Sequence, residues 1–166
     1  MTGIVVMGVA GAGKTTVGEL LAKALDLPFL EGDHFHAPAS VEKMRRGEAL
    51  EDTDRWPWLD RIAAELARLE REGRGAVVAC SALKRAHRDR LRSGSPGIRF
   101  VFVAGSEALI RKRLERRRGH FMPPTLLASQ FAALEPPSPD ENAVIADAGP
   151  PPAEIVAGIV AALKRA

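Results

Sequence analysis

At 166 residues, with 46% hydrophobic and 27% charged content, the chain has the size and balance of one globular domain, which excludes a disordered or fibrous class. A formal charge of +3 is too small to favour bulk coating of nucleic acid, and the single cysteine, Cys80, excludes an internal disulfide framework. No apolar run is long enough to cross a bilayer and the N-terminus lacks a secretory layout, so a reducing, cytoplasmic setting with no membrane partner is expected.

In chain order, the apolar stretch Ile4-Val5-Val6-Met7 reads as a strand. It runs into Gly8-Val9-Ala10-Gly11-Ala12-Gly13-Lys14-Thr15, which meets the Walker A pattern at every fixed position. Glycines let the backbone wrap closely round a phosphate with its N–H groups turned inward, and the helix N-terminus that follows adds partial positive charge. Gly8, Gly11, Ala12, Gly13, Lys14, Thr15 and Thr16 are therefore the expected nucleotide contacts, with Lys14 reaching the β- and γ-phosphates and the Thr15 hydroxyl ligating Mg²⁺. Val17, Leu20, Leu21 and Ala24 recur at helical spacing, and Asp26-Leu27-Pro28 supplies a stop.

Short β-rich runs then alternate with helical patterns. Phe29-Leu30, Ala76–Cys80, Ile98–Val103 and Ala143–Ala146 read as strands; Leu59, Ile62, Ala63, Leu66 and Leu69 mark one helix ended by Gly73, and Ile155, Val156, Ile159, Val160 and Leu163 mark the last. Such alternation predicts a single three-layer α/β/α domain built on a five-stranded parallel sheet. Two irregular stretches, 32–58 and 111–137, interrupt the plan. Ligands bind beyond the carboxyl ends of parallel strands, so function is expected there.

In the first stretch Asp33 follows the second strand and is the leading candidate for a carboxylate that accepts the proton of an attacking hydroxyl, orients it, or supports Mg²⁺ through water. The alternative is a solvated turn aspartate. The third strand ends without an acid, which shifts the weight to Asp33. His36, Lys43 and Arg55 suit a polyhydroxylated, acidic acceptor, Arg55 through a bidentate grip on a carboxylate. Against that, Asp54 would cap a helix with Arg55 merely in its first turn. His34 and His36 lack further ligands for a zinc site, and Trp56 and Trp58 read as packing anchors because Pro57 is expected to begin a helix.

After the third strand, Ser81-Ala82-Leu83-Lys84 puts a hydroxyl and an ammonium group at the sheet edge, and Lys84 is a further candidate substrate contact. Arg85, Arg88, Arg90 and Arg92 read as a solvated helix face, and Cys80 as a small buried residue. The run Arg111–Arg118 followed by Gly119-His120-Phe121-Met122-Pro123-Pro124 has the look of a helical lid. Lid closure would bring an arginine onto the transferred phosphoryl group and keep water out. A basic patch for RNA or DNA is the competing reading, weakened by the lack of interleaved aromatics. Downstream, Gln130 stands on a further short helix as a substrate contact or a plain surface residue.

These residues resemble the gluconokinases, P-loop small-molecule kinases related in fold to shikimate and nucleoside-monophosphate kinases. The strings carrying the likeness are Met7-Gly8-Val9 with the phosphate loop, Gly32-Asp33 with His36, Lys43-Met44 with Gly47, and 52–59. It continues through Cys80-Ser81-Ala82-Leu83-Lys84, Arg113-Leu114, Arg117, Gly119-His120-Phe121-Met122 and Ser129-Gln130-Phe131. The resemblance implies transfer of the ATP γ-phosphoryl group to the 6-hydroxyl of D-gluconate, with Mg²⁺, in a homodimer. It also implies that Arg113 and Arg117 act from the lid, Arg117 as a catalytic group beside Lys14 and Asp33, and that His36, Lys43, Arg55, Lys84, His120 and Gln130 touch the sugar acid. Departures are Ala10 and Ala12 in place of serine, Glu31 in place of aspartate and Ser40 in place of asparagine. A kinase for shikimate or a nucleoside is the nearest alternative, and a nucleic-acid-binding ATPase a more distant one. No Asn-Lys-x-Asp sequence supports a guanine-specific switch.

Overall fold

The computed structural model describes residues 3–116 and 124–165. Five strands, β1 (Gly3–Met7), β2 (Phe29–Glu31), β3 (Ala76–Ala79), β4 (Arg99–Ala104) and β5 (Val144–Asp147), form one sheet in the order β2-β3-β1-β4-β5. Every pairing is parallel. The central strand β1 is flanked on both sides, which is why Gly3–Met7 is buried throughout and carries no polar face. All five carboxyl ends lie along one edge, and the segments that leave this edge build the cleft described below.

Alternation along the strands divides the core into two layers. Ile4, Val6, Val77, Val101 and Val103 pack on one face against α1 (Lys14–Leu25) and α7 (Pro152–Arg165). Val5, Met7, Val78, Phe100 and Phe102 pack on the other against α3 (Asp52–Arg71) and α4 (Arg85–Gly94). Apolar residues at helical spacing supply the matching stripes, such as Leu59, Ile62, Ala63, Leu66 and Leu69 on α3. The remaining helices are α2 (Pro38–Arg45), α5 (Glu107–Arg116) and α6 (Pro124–Ala133). No helix among the described residues is long and apolar enough to cross a membrane.

The three-layer fold and the five parallel strands agree with the expectation from sequence, each strand lying within a residue or so of the predicted run. Asp26 ends α1 in the left-handed region at φ 55°, and Gly73 follows α3 at φ 73°. Three readings are corrected. Pro57 does not begin a helix: α3 begins five residues earlier at Asp52, where the Asp54 carboxylate accepts the Glu51 N–H at 2.8 Å and secures the first turn. The stretch after β2 is more regular than expected, holding a 3-10 turn at Gly32–Phe35 and then α2, whose Pro38 occupies the first helical position.

The third correction concerns the basic face of α4. Arg88 is fully buried, its guanidinium donating to the Ala82 and Leu83 carbonyls at 2.9 and 3.2 Å and to the Glu141 carboxylate at 2.7 and 3.1 Å. Arg92 also donates to Glu141, at 2.9 Å. A planar fork of donors can satisfy carbonyls and a carboxylate together, which is what permits a buried charge here. Arg85 and Arg90 lie at the surface in ion pairs with Asp140 and Asp60. Cys80 is buried as expected, and loss of solvation pushes its thiol up to about 12.

Candidate active site

The phosphate loop leaves β1 and turns into α1 through backbone that only glycine adopts easily, with Gly11 at φ 81° and Gly13, the residue capping α1, at φ 96°. A Cβ on Gly11 would also meet the Leu114 side chain at 2.9 Å, so the loop lies directly under α5. Gly8 is fastened to the segment that leaves the neighbouring strand β3 by its N–H, which donates to the Ser81 carbonyl at 3.2 Å. The Ala12 N–H donates back to Val9 at 3.2 Å and its methyl group is buried in the core. Lys14 donates from Nζ to the Val9 carbonyl at 3.0 Å, folding its side chain over the loop. The first N–H groups of a helix have no acceptor within it, so the start of α1, with Thr15 and Thr16, presents an anion-binding end.

Thr15 has a partner that the sequence reading did not assign. Its hydroxyl donates to the Glu31 carboxylate at 2.6 Å, joining the first turn of α1 to the last residue of β2. The signal in the sequence is an acid at the carboxyl end of the second strand, two residues before Asp33, the carboxylate to which the sequence points.

Beside the loop opens a cleft of about 620 Å³. Lys14, Asp33, His36, Arg55, Ser81 and Gln130 all contribute to its walls. Asp33 comes from the 3-10 turn after β2 and its side chain is 78% exposed, facing open solvent. His36 lies behind it, with Nε2 3.9 Å from the Asp33 carboxylate and its ring stacked on Trp58 at 4.0 Å between centroids. Trp58 is itself fixed by an indole N–H donated to the Gly32 carbonyl at 2.8 Å. Nδ1 of His36 is buried and has no hydrogen-bond partner among the described residues. Burial is the main influence on this ring and holds its pKa below the ordinary imidazole value.

The other sequence candidates divide into two groups. Arg55 lines the cleft with a largely buried side chain, and its NH1 group sits 3.5 Å from the Asp52 carboxylate. Lys43 and Lys84 do not line it: Lys43 pairs with Asp54 at 3.0 Å and Lys84 with Asp52 at 3.2 Å. Gln130 touches the phosphate loop itself, its side-chain carbonyl accepting the Ala10 N–H at 2.6 Å. Arg113, on α5, donates to the Ala148 and Gly149 carbonyls after β5, on the far side of the loop from Asp33. Arg117 and His120 lie outside the described residues.

Residues 4–137 match the family described as the AAA domain. A gluconokinase from Gluconobacter oxydans is 50% identical over 141 residues, covering 85% of this chain and 79% of that protein. The thermoresistant gluconokinase of Escherichia coli is 38% identical over 97% of this chain and 93% of its own length. The chain belongs to the gluconokinase family. A crystal structure of a gluconokinase from Sinorhizobium meliloti superposes with a TM-score of 0.91 at 47% identity, covering 99% of this chain and 92% of that one. The gluconokinase fold is thus the P-loop kinase architecture read from the sequence, and membership makes the chain a kinase that takes an alcohol acceptor.

Proposed function

We propose that this chain moves the γ-phosphoryl group of ATP to the 6-hydroxyl of D-gluconate, giving 6-phospho-D-gluconate and ADP. The observation that carries the reading is the sharing of one cleft by Lys14, Asp33 and Arg55, a phosphate-loop cation, a solvent-facing carboxylate and a guanidinium fork. Family membership supplies gluconate as the acceptor.

In this reading the amides at the start of α1 and the Lys14 ammonium hold the β- and γ-phosphates, and Asp33 accepts the acceptor's hydroxyl proton or holds that oxygen in line. Arg55 grips the carboxylate at the other end of the sugar acid, where a planar fork matches two carboxylate oxygens. His36, whose buried Nδ1 has no partner among the described residues, takes a hydroxyl along the chain of the sugar acid. Segment 32–58 is the acceptor-binding part, and 111–137 the lid with its following helix. Arg113 and Arg117 keep the lid roles implied by the family and His120 its contact with the sugar acid, while Gln130 acts from the cleft wall and Lys43 and Lys84 from behind it.

Thr15 and Glu31 suit a magnesium ion by chemistry, since both offer the hard oxygen donors this ion prefers. Thr15 would hold it directly and Glu31 through water. When bound, the ion would offset charge between the β- and γ-phosphates. The same reading takes the protein as a cytoplasmic homodimer without a nucleic-acid partner. It is supported on the last point by α4, whose Arg85, Arg88, Arg90 and Arg92 are all paired with carboxylates.

The test is an ADP-coupled assay with gluconate, shikimate and a nucleoside as acceptors, with the product's phosphate position assigned by NMR. Gluconate-dependent ADP release with phosphate on the 6-oxygen is the expected result. A preference for another acceptor, or hydrolysis stimulated by RNA or DNA with no acceptor present, would overturn it.

A further inference from the structure

Behind Arg55 lies a hydrogen-bonded relay that none of the roles above requires. Asp52 is the first residue of α3, and its carboxylate gathers three donors from different places. Oδ1 lies 3.0 Å from His87 Nε2, 3.4 Å from Lys84 Nζ and 3.5 Å from Arg55 NH1, while Oδ2 lies 3.2 Å from Lys84 Nζ. His87, on α4, is 1% exposed. Its other nitrogen, Nδ1, accepts the Lys84 backbone N–H at 3.2 Å.

That second bond decides the state of the ring. An N–H directed at Nδ1 requires a lone pair there, so the single proton of a neutral imidazole sits on Nε2 and points at Asp52. Trp56 closes the outer side of the ring, edge-on at 5.7 Å. The ring is therefore a rigid spacer between the backbone of α4 and the Asp52 carboxylate, and it holds that carboxylate at one rotamer. Burial, helped by the Arg55 and Lys84 charges, outweighs the opposing pull of the Asp52 carboxylate and leaves the His87 pKa below the ordinary value, in keeping with a neutral ring.

We propose that Asp52, set by His87, is a positioning residue for the acceptor's carboxylate. It holds Arg55 by one edge of the guanidinium, leaving the remaining donors of the fork toward the cleft, and draws the Lys84 ammonium to the same place. A guanidinium on a free side chain would have to give up rotamer freedom each time substrate arrived; one already held loses less. The lysine and arginine would otherwise repel each other at the cleft wall, and the carboxylate between them removes that conflict. This inference rests on the proposal that Arg55 grips the sugar acid's carboxylate.

The experiment measures kcat and the KM values for gluconate and for ATP in the full-length protein carrying D52N, H87F, H87Q, R55K or the pair D52N/R55K. Loss of one charge-assisted contact predicts a KM for gluconate raised roughly tenfold in D52N, with the KM for ATP unchanged. H87F should shift the KM for gluconate in the same direction. H87Q should restore it, because an amide can accept from Lys84 and donate to Asp52. D52N/R55K should be no worse than R55K, since both act through one guanidinium.

A D52N protein with an unaltered KM for gluconate, alongside an R55K protein with a raised one, overturns the relay and leaves the Arg55 assignment intact. An R55K protein of unaltered KM overturns both. Equal losses for gluconate and ATP with a lowered melting temperature would show Asp52 to be a helix-end contact only. If H87F fails to fold, D52N and H87Q still decide the matter.

Discussion

The Thr15 hydroxyl and the Glu31 carboxylate meet at 2.6 Å, tying the start of α1 to the end of β2 across the sheet edge. If the Thr15 hydroxyl ligates magnesium as proposed, a carboxylate one hydrogen bond away would hold the ion's water ligands. Glu31→Gln should therefore raise the Mg²⁺ concentration needed for half-maximal rate about tenfold, with gluconate affinity unchanged. Titration of the rate with Mg²⁺ at saturating ATP checks this, and an unaltered midpoint would detach Glu31 from the metal.

Asp33 lines the same cleft as Lys14 and faces solvent on its free side. Asp33→Asn preserves the shape and removes the capacity to take a proton, so kcat should fall by about 10²- to 10⁴-fold. Nucleotide binding, followed by displacement of a fluorescent ADP analogue, should survive. Full turnover in this variant would remove Asp33 from the reaction.

Arg88 and Glu141 form an ion pair whose side chains are each 1% exposed. Arg88→Met strands the carboxylate in a site with little water, leaving Arg92 as its remaining cationic partner. The expected cost is about 3–5 kcal/mol, read from urea denaturation. Replacing both members by apolar residues should recover part of it, because the desolvation of each charge is then removed as well. A loss no larger than that of Arg90→Ala, whose Asp60 pair is exposed, would contradict the assignment.

Acid should weaken the fold in two stages. Burial holds His36 and His87 below the usual imidazole range, so the unfolded chain binds more protons than the folded one once the pH drops beneath ~6.5. Stability therefore falls with decreasing pH from that point until the folded rings also protonate. Asp52, Asp54 and Glu141 are held low by their hydrogen bonds, to His87, to the Glu51 N–H and to Arg88 respectively, so their contribution is present at neutral pH. It is lost as the pH drops below ~4 through their folded values. Denaturation midpoints across the acid range should show both declines, with the upper one reduced in His87→Gln; a flat profile between pH 7.5 and 5 would contradict it.

Local pattern carried most of the architecture. Runs such as Ala76–Cys80 and stripes such as Ile155, Val156 and Ile159 announce strand and helix because side-chain periodicity belongs to a few consecutive residues. The phosphate loop was equally legible, its glycines, Lys14 and Thr15 being contiguous, and Asp33 could be placed from its position after a strand. Where the chain departs from regular spacing, that reading failed: α2 hides in a polar segment, and α3 begins ahead of a proline that looked like a start.

What tertiary structure alone decided are the partners. Thr15 meets Glu31, Ala10 meets Gln130, Arg88 meets Glu141, and His87 reaches Asp52 from another helix. Each pair joins residues far apart in the chain, so no local spacing encodes it; a charged side chain reads as surface until the fold supplies its counter-ion. Arg88 shows the difference most clearly. Its helix pattern alone assigns it to water, whereas the turn before β5 brings Glu141 to it and makes burial affordable, because a charge leaves solvent only when another group takes over its hydrogen bonds.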